Sequence, residues 1–316
     1  MRKWIIAAIV VLLAWLFLGN SPWVHEPGRP FLLAHRGLAQ TFDLAGVQAD
    51  TCTATRIHPP TVPFLENTVP SLRAAFAAGA DAAEIDVQVS GDRQLAVFHD
   101  ATLDCRTDGH GPIAGQTMAA LRKLDVGFGY TADAGLTHPF RGKGIGLMPT
   151  VPEMLAAFPD RELKLDLKRD SSADGRLLAD FLATLPPARL PSLTVTGGDQ
   201  AVAAVLARFP TIRASSRQII KKCLIEYAGS GWTGHVPDSC HHRELPLPER
   251  YGRWLWGWPN RFVARMRAAD TRVVLVRGEG DWSAGFDTAD DLAELPAGWT
   301  GGIWTNRVDI IAPRIG

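Results

Sequence analysis

Three short polar strings, His35-Arg36-Gly37, Glu84-Ile85-Asp86 and His99-Asp100, each stand at the tail of an apolar run. An imidazole can take or give a proton near neutrality, and a guanidinium matches phosphate oxygens. Two carboxylates can hold a divalent cation. In combination these groups point to metal-assisted attack on a phosphate ester. The run Phe31-Leu32-Leu33-Ala34 reads as a buried strand. His35 and Arg36 therefore fall where burial gives way to solvent, the end of a strand at which α/β folds carry their chemistry.

Glu84 and Asp86 are two apart on a strand and so share one face. If the strands form a closed parallel barrel, that face looks inward, and two inward carboxylates without a cation repel each other. A divalent ion resolves the conflict, and hard oxygen ligands suit Mg²⁺ or Ca²⁺. The other reading of the pair alone is an exposed, alternating edge strand. In Leu163-Lys164-Leu165-Asp166-Leu167-Lys168 the leucines take one face and the charged residues the other. Within the same sheet, Asp166 would add a third carboxylate and Lys168 a positive charge for a phosphate oxygen. His35 and His99 matter jointly, because cleaving a diester requires removing one proton and delivering another.

The elements that must position these groups alternate along the chain. Strands are expected at 31–34, 84–89, 94–98, 162–167, 192–196, 254–258, 272–276 and 302–305. Helices are expected at 69–78, 117–124, 151–158, 176–185, 200–209, 261–269 and 287–295. This alternation points to parallel strands joined by helices, and no Gly-x-Gly-x-x-Gly follows the first strand. The expected fold is an α/β TIM (β/α)8 barrel. On a strand at 254–258, Trp254, Trp256 and Trp258 would share a face, as core packing or as an apolar substrate wall. The long connections 38–65 and 103–146 read as lids or binding surfaces.

With 33 acidic and 33 basic residues, overall charge does not call for a nucleic-acid partner. Arg2 and Lys3 precede an uncharged apolar run at 4–18, followed by Gly19-Asn20-Ser21. This pattern reads as a transmembrane anchor within residues 1–23. It places the barrel, 24–316 with an insertion at 38–65, on the periplasmic side of the inner membrane. A cleaved signal and secretion are the alternative, although no small-x-small site follows the run. Four cysteines allow two disulfides, expected as 52–105 and 223–240. A zinc site at Cys240-His241-His242 with His235 and Asp238 matches no known spacing.

Taken in order, several strings resemble the glycerophosphodiester phosphodiesterase family. These are Ala34-His35-Arg36-Gly37, Glu66-Asn67-Thr68, Glu84-Ile85-Asp86-Val87, Phe98-His99-Asp100 and Leu103-Asp104-x-x-Thr107-Asp108-Gly109. Met148-Pro149-Thr150-Val151-Pro152-Glu153, Leu165-Asp166-Leu167-Lys168 and Gly302-Ile303-Trp304-Thr305-Asn306 continue the likeness. The resemblance implies a TIM barrel, a divalent metal and hydrolysis of glycerophosphodiesters to sn-glycerol 3-phosphate and an alcohol. It casts His35 and His99 as the acid–base pair, and Glu84 and Asp86 as metal ligands, with Asp166 as a third carboxylate. Arg36 and Lys168 then bind phosphate, and Glu66 orders the site or reaches the metal. Three departures stand out: Asp166 replaces the family's usual glutamate, 38–65 is an insertion, and Thr305-Asn306 stands where Thr-Asp is common. A lysophospholipase D acting on longer lipids would need a more apolar mouth. An inactive phospholipid-headgroup binding domain is opposed by the two intact histidines.

Overall fold

The computed structural model describes residues 2–21, 28–48, 51–278 and 283–315. Eight parallel strands form the barrel: β1 (Phe31–Ala34), β2 (Ala82–Val89), β4 (Glu162–Leu167), β5 (Leu193–Gly197), β6 (Arg213–Ser215), β7 (Glu244–Pro248), β8 (Arg272–Val276) and β9 (Gly302–Thr305). A short strand, β3 (Leu95–Val97), pairs antiparallel with β2 outside this ring. Neighbours follow chain order, with β1 between β2 and β9. A single parallel bridge, Ala214 to Arg243, nearly completes the seam between β6 and β7.

The alternation along β4 explains the two faces. Leu163, Leu165 and Leu167 point outward into the core shared with the helices, leaving Lys164, Asp166 and Lys168 on the barrel side. The parallel ladder sets Glu84 beside Lys164 and Asp86 beside Asp166. A small plug of Leu33, Ala82, Val274, Val276 and Trp304 fills part of the barrel.

The helices are α1 (Arg2–Gly19), α2 (Val69–Ala77), α3 (Met118–Leu121), α4 (Val151–Ala157), α5 (Ser172–Leu182), α6 (Asp199–Leu206), α7 (Arg217–Ser230), α8 (Glu249–Gly252), α9 (Asn260–Ala268) and α10 (Val308–Ile315). Hydroxyl caps fix several starts. The Thr68 side chain accepts from Ser71 N, and Thr150 with Glu153 forms a full capping box at α4.

Residues 254–258 do not form the expected strand. They lie in turns after α8, where Gly257 has φ +80°. Trp254 and Trp256 are exposed, whereas Trp258 packs on Phe262 and Trp299. The barrel strand is instead β7, whose Pro246 and Pro248 lack ladder donors and hide it from a strand pattern. Strand β6 is only three residues long, too short to give a periodic signal. The expected helix at 287–295 is a single 3₁₀ stretch, Asp290–Glu294, and α7 appears where no helix was expected.

The transmembrane anchor, and with it the single-pass inner-membrane placement, is not borne out. Among the described residues, no helix is long and apolar enough to cross a membrane. Helix α1 spans 18 residues and opens on Arg2 and Lys3. Its uncharged run at 4–18 rises only about 22 Å at ~1.5 Å per residue, against a hydrocarbon thickness of ~30 Å. Met1, Pro22 and Trp23 of the expected anchor segment lie outside the described residues. The last turn of α1 docks on the barrel, where Arg265 donates to Asn20 Oδ1 at 3.0 Å and to Gly19 O at 2.9 Å.

Both cysteine pairs are disulfides, Cys52–Cys105 and Cys223–Cys240, which removes Cys240 from any zinc site. Cys52–Cys105 ties the 38–65 insertion to the 103–146 loop. The two loops bury a satellite core of their own, including Ile57, Leu65, Leu103, Leu121, Tyr130 and Phe140. Cys223–Cys240 closes a shorter loop, with a sequence separation of 17. Replacing both of its cysteines by serine is expected to lower unfolding free energy by about 3 kcal/mol, the loop-closure entropy for that length. Urea titration of the variant checks this, and an unchanged midpoint would count against it.

Candidate active site

The site assembles at the C-terminal ends of β1, β2, β4 and β9. After β1 the chain turns sharply, with Arg36 at φ +60° and Gly37 at φ +89°. A Cβ at Gly37 would lie 2.4 Å from Ser71 Oγ, so the turn is restricted to glycine. Arg36 O accepts from Asn67 N at 2.9 Å, which joins the first string to Glu66-Asn67-Thr68 despite the insertion between them.

Asp86 is the hub of this arrangement. It is fully buried, and its Oδ2 lies 3.0 Å from Arg36 Nε and accepts from Asn67 Nδ2 at 2.7 Å. Its Oδ1 lies 3.4 Å from Lys168 Nζ and has no hydrogen-bond partner among the described residues. Burial alone would raise its pKa, but Arg36 and Lys168 hold the carboxyl well below the usual carboxylate range. Glu84 accepts from Trp304 Nε1 at 2.7 Å and lies 3.5 Å from Lys164 Nζ. Burial pushes its carboxyl up, despite the pull of Lys164. Asp166, partly exposed, accepts from Lys168 Nζ at 3.0 Å. One ligand oxygen from each of Glu84, Asp86 and Asp166 lies within 4.8 Å of the others, a grouping that could hold a metal ion.

Glu66 does not join that grouping. It is clamped between two guanidiniums, with Arg36 Nη1 at 3.0 Å and Arg106 Nε at 3.2 Å from Oε1. Arg106 also pairs with Asp100 and donates to Thr53 Oγ1 at 2.7 Å. Asp100 Oδ1 in turn holds His99 Nδ1 at 2.6 Å. Burial would raise the Asp100 carboxyl, but Arg106 and His99 hold it down at about 2. Glu66, expected to order the site, thus joins Arg36 to Arg106, from which Asp100 leads on to His99.

His35 is buried against Trp304, with ring centroids 3.8 Å apart, and its Nδ1 lies 2.8 Å from Asn306 Oδ1. The Asn306 amide is oriented by Asp287, whose Oδ2 accepts from Nδ2 at 2.8 Å and whose Oδ1 accepts from the backbone N at 2.7 Å. With the amide nitrogen so committed, Asn306 Oδ1 faces His35 and places the imidazole proton on Nδ1. Burial, aided by the Arg36 cation, depresses the His35 pKa well below its ordinary value. His99 is depressed by the same two causes, against the opposing pull of Asp86 and Asp100.

All eight residues singled out in the sequence therefore lie in one network or in the carboxylate grouping it borders. Sequence reading missed Arg106, Asp287, Lys164 as a partner of Glu84, and Trp304 as a ring beneath His35. Asn67 was visible only as the middle of Glu66-Asn67-Thr68. Arg106 and Asp287 sit in irregular segments whose spacing carries no signal.

The family model for the glycerophosphoryl diester phosphodiesterase family matches residues 35–174, the stretch that holds every one of these residues except the β9 end and Asp287. Over this stretch, a little under half of its length, the chain is similar to this family. The uncharacterized protein Rv2277c of Mycobacterium tuberculosis is 36% identical over 107 residues, 34% of this chain and 35% of that protein. A glycerophosphodiester phosphodiesterase of Caldanaerobacter subterraneus is 32% identical over 103 residues, 33% of this chain and 39% of its own length. The match thus spans little more than a third of these relatives. The solved glycerophosphoryl diester phosphodiesterase domain of Rv2277c superposes with a TM-score of 0.62 at 21% identity, covering 89% of this chain and 97% of that one. An Oleispira antarctica phosphodiesterase in complex with the product sn-glycerol-3-phosphate gives 0.55 at 20% identity, covering 89% and 94%. At such identities the two structures speak for the barrel.

Proposed function

We propose that the protein is a metal-dependent glycerophosphodiester phosphodiesterase, a phosphoric diester hydrolase that releases sn-glycerol 3-phosphate and an alcohol. One observation carries the reading: Arg36 and Lys168 converge on Asp86 beside the Glu84–Asp86–Asp166 grouping, between two histidines held by different partners. The product bound by the Oleispira antarctica phosphodiesterase supports the substrate class. Residues 24–316 form the catalytic unit in this reading, and the insertion at 38–65 shapes its mouth.

The donor set fits a hard divalent ion, since Asp86 Oδ1 is buried without a hydrogen-bond partner among the described residues and Asp86 belongs to a grouping of three carboxylates. Glu84, Asp86 and Asp166 would hold Mg²⁺ or Ca²⁺, which when bound neutralises the phosphate and activates the attacking oxygen. Arg36 and Lys168 bind the phosphate oxygens, as cations whose carboxylate partner the substrate shares. Glu66 keeps Arg36 in place. His35, protonated at Nδ1, offers Nε2 as the base that takes the nucleophile's proton. His99, carried by the Asp100 carboxylate, is the group better able to hold a proton and deliver it to the leaving alkoxide.

A cavity of about 400 Å³ adjoins the one that holds His35, Trp304 and Asn306, the two sharing Leu44 and Ala284. Its lining sets Pro248, Val276 and Phe286 among the charged Glu249, Arg250, Arg277 and Glu294, and the apolar part favours, as a second reading, longer lysophospholipid diesters. Hydrolysis of glycerophosphocholine and lysophosphatidylcholine is expected to stop in EDTA and to resume with Mg²⁺ or Ca²⁺. Turnover indifferent to chelation would exclude the metal. Tight binding without turnover would favour a headgroup-binding module.

A further inference from the structure

At the opposite end of the barrel, the first residues of β1, β6, β8 and β9 surround a second cavity of about 230 Å³. Its lining includes three guanidiniums, from Arg213, Arg267 and Arg272, and a single carboxylate, Asp270. Each charged group has a traceable commitment. Arg213 Nη2 donates to Asp270 Oδ1 at 2.8 Å, and the other oxygen of Asp270 takes His242 Nδ1 at 2.9 Å. Arg272 lies over the Phe31 ring at 3.6 Å, donates to Glu162 at 2.6 Å and reaches Glu244 at 3.6 Å. Arg267 Nη2 donates to Thr300 O at 3.0 Å.

Among the described residues, Arg213 Nε, Arg213 Nη1 and Thr300 Oγ1 are buried without hydrogen-bond partners. A buried N–H or O–H left unpaired costs about 1–3 kcal/mol, and more on a charged group. The carboxylate oxygens of Asp270 are already taken, and the buried Glu244 carboxylate draws on Arg213 from within the barrel. Arg267 has a backbone carbonyl rather than a carboxylate as its partner, so the cavity lining keeps more positive than negative charge. We propose that this cavity binds a small oxyanion, a phosphate or carboxylate group, held by Arg213, Arg267 and Thr300. It is smaller than the ~300–1,000 Å³ of pockets for drug-sized ligands, which suits a compact anion. The site is separate from the proposed hydrolysis and uses none of its residues.

Calorimetric titration with inorganic phosphate, and with acetate at matched ionic strength, tests the proposal. The expected result is a binding event that survives Lys168→Gln, which weakens phosphate binding at the other mouth. That event should weaken at least about tenfold in Arg213→Gln and in Arg267→Gln, as for a lost charge-assisted contact. Diester hydrolysis by Arg267→Gln should equal that of the wild type, and Thr300→Val provides a milder variant should Arg213→Gln not fold. Crystals soaked in tungstate should show the ion in this cavity, beside Arg267 and Arg213. Tungstate confined to the Arg36 and Lys168 end, or equal phosphate affinity in wild type and Arg267→Gln, would overturn the assignment. Tighter binding of phosphate than of acetate identifies a phosphoryl ligand, and the reverse identifies a carboxylate.

Discussion

His35→Ala and His99→Ala are each expected to lower glycerophosphodiester turnover by at least about a hundredfold, the usual range for a lost general acid or base. Neither imidazole carries the fold. His35 rests on Trp304 and a neutral amide, and His99 on one carboxylate that Arg106 also holds. Thermal unfolding of both variants should therefore stay cooperative, which separates lost chemistry from lost structure. The two losses should differ in pH dependence. A depressed His35 is deprotonated across the neutral range, so its contribution fades only as pH falls through its low pKa. A single residue with near-normal rate would be removed from the mechanism.

Asp86→Ala is expected to act on both stability and rate. Its carboxylate is fully buried and faces Arg36 and Lys168, while Asn67 donates to it. Deleting one partner of a buried ion pair leaves uncompensated charge, which costs about 3–5 kcal/mol. Turnover should fall by about a hundredfold or more, because Arg36 and Lys168 lose the anchor that aims them. Asp166→Ala makes the contrast. Its side chain is partly exposed and, among the described residues, forms its ion pair with Lys168, so its stability effect should stay within about 1 kcal/mol. Urea unfolding and initial rates for the two variants check the ordering, and equal destabilisation would contradict the hub role of Asp86.

The barrel was legible where strands are short apolar runs, as at Phe31–Ala34, Arg272–Val276 and Gly302–Thr305, or alternate leucine with charge, as at Glu162–Leu167. Their polar neighbours then identified the site, because a charge beside a buried run has few places to go. The reading failed where local chemistry hides the pattern. Prolines at 246 and 248 disguised β7, and alternating tryptophans at 254–258 imitated a strand that Gly257 and Pro259 break. The apolar run at 4–18 suggested a span, but the helix that contains it is not long and apolar enough to cross a membrane. Cysteine pairing was legible from placement along the chain. The supporting residues were not, since Arg106 reaches His99 through Asp100 and Asp287 reaches His35 through Asn306. Such links exist only once irregular segments have folded against the strand ends.

The most direct measurement is phosphorus NMR of glycerophosphocholine incubated with the full chain and Mg²⁺ or Ca²⁺. The expected result is loss of the diester signal and growth of the sn-glycerol 3-phosphate signal, slowed at least about a hundredfold by His99→Ala. Release of phosphocholine and glycerol instead, or an unchanged diester in the presence of either metal, would contradict it.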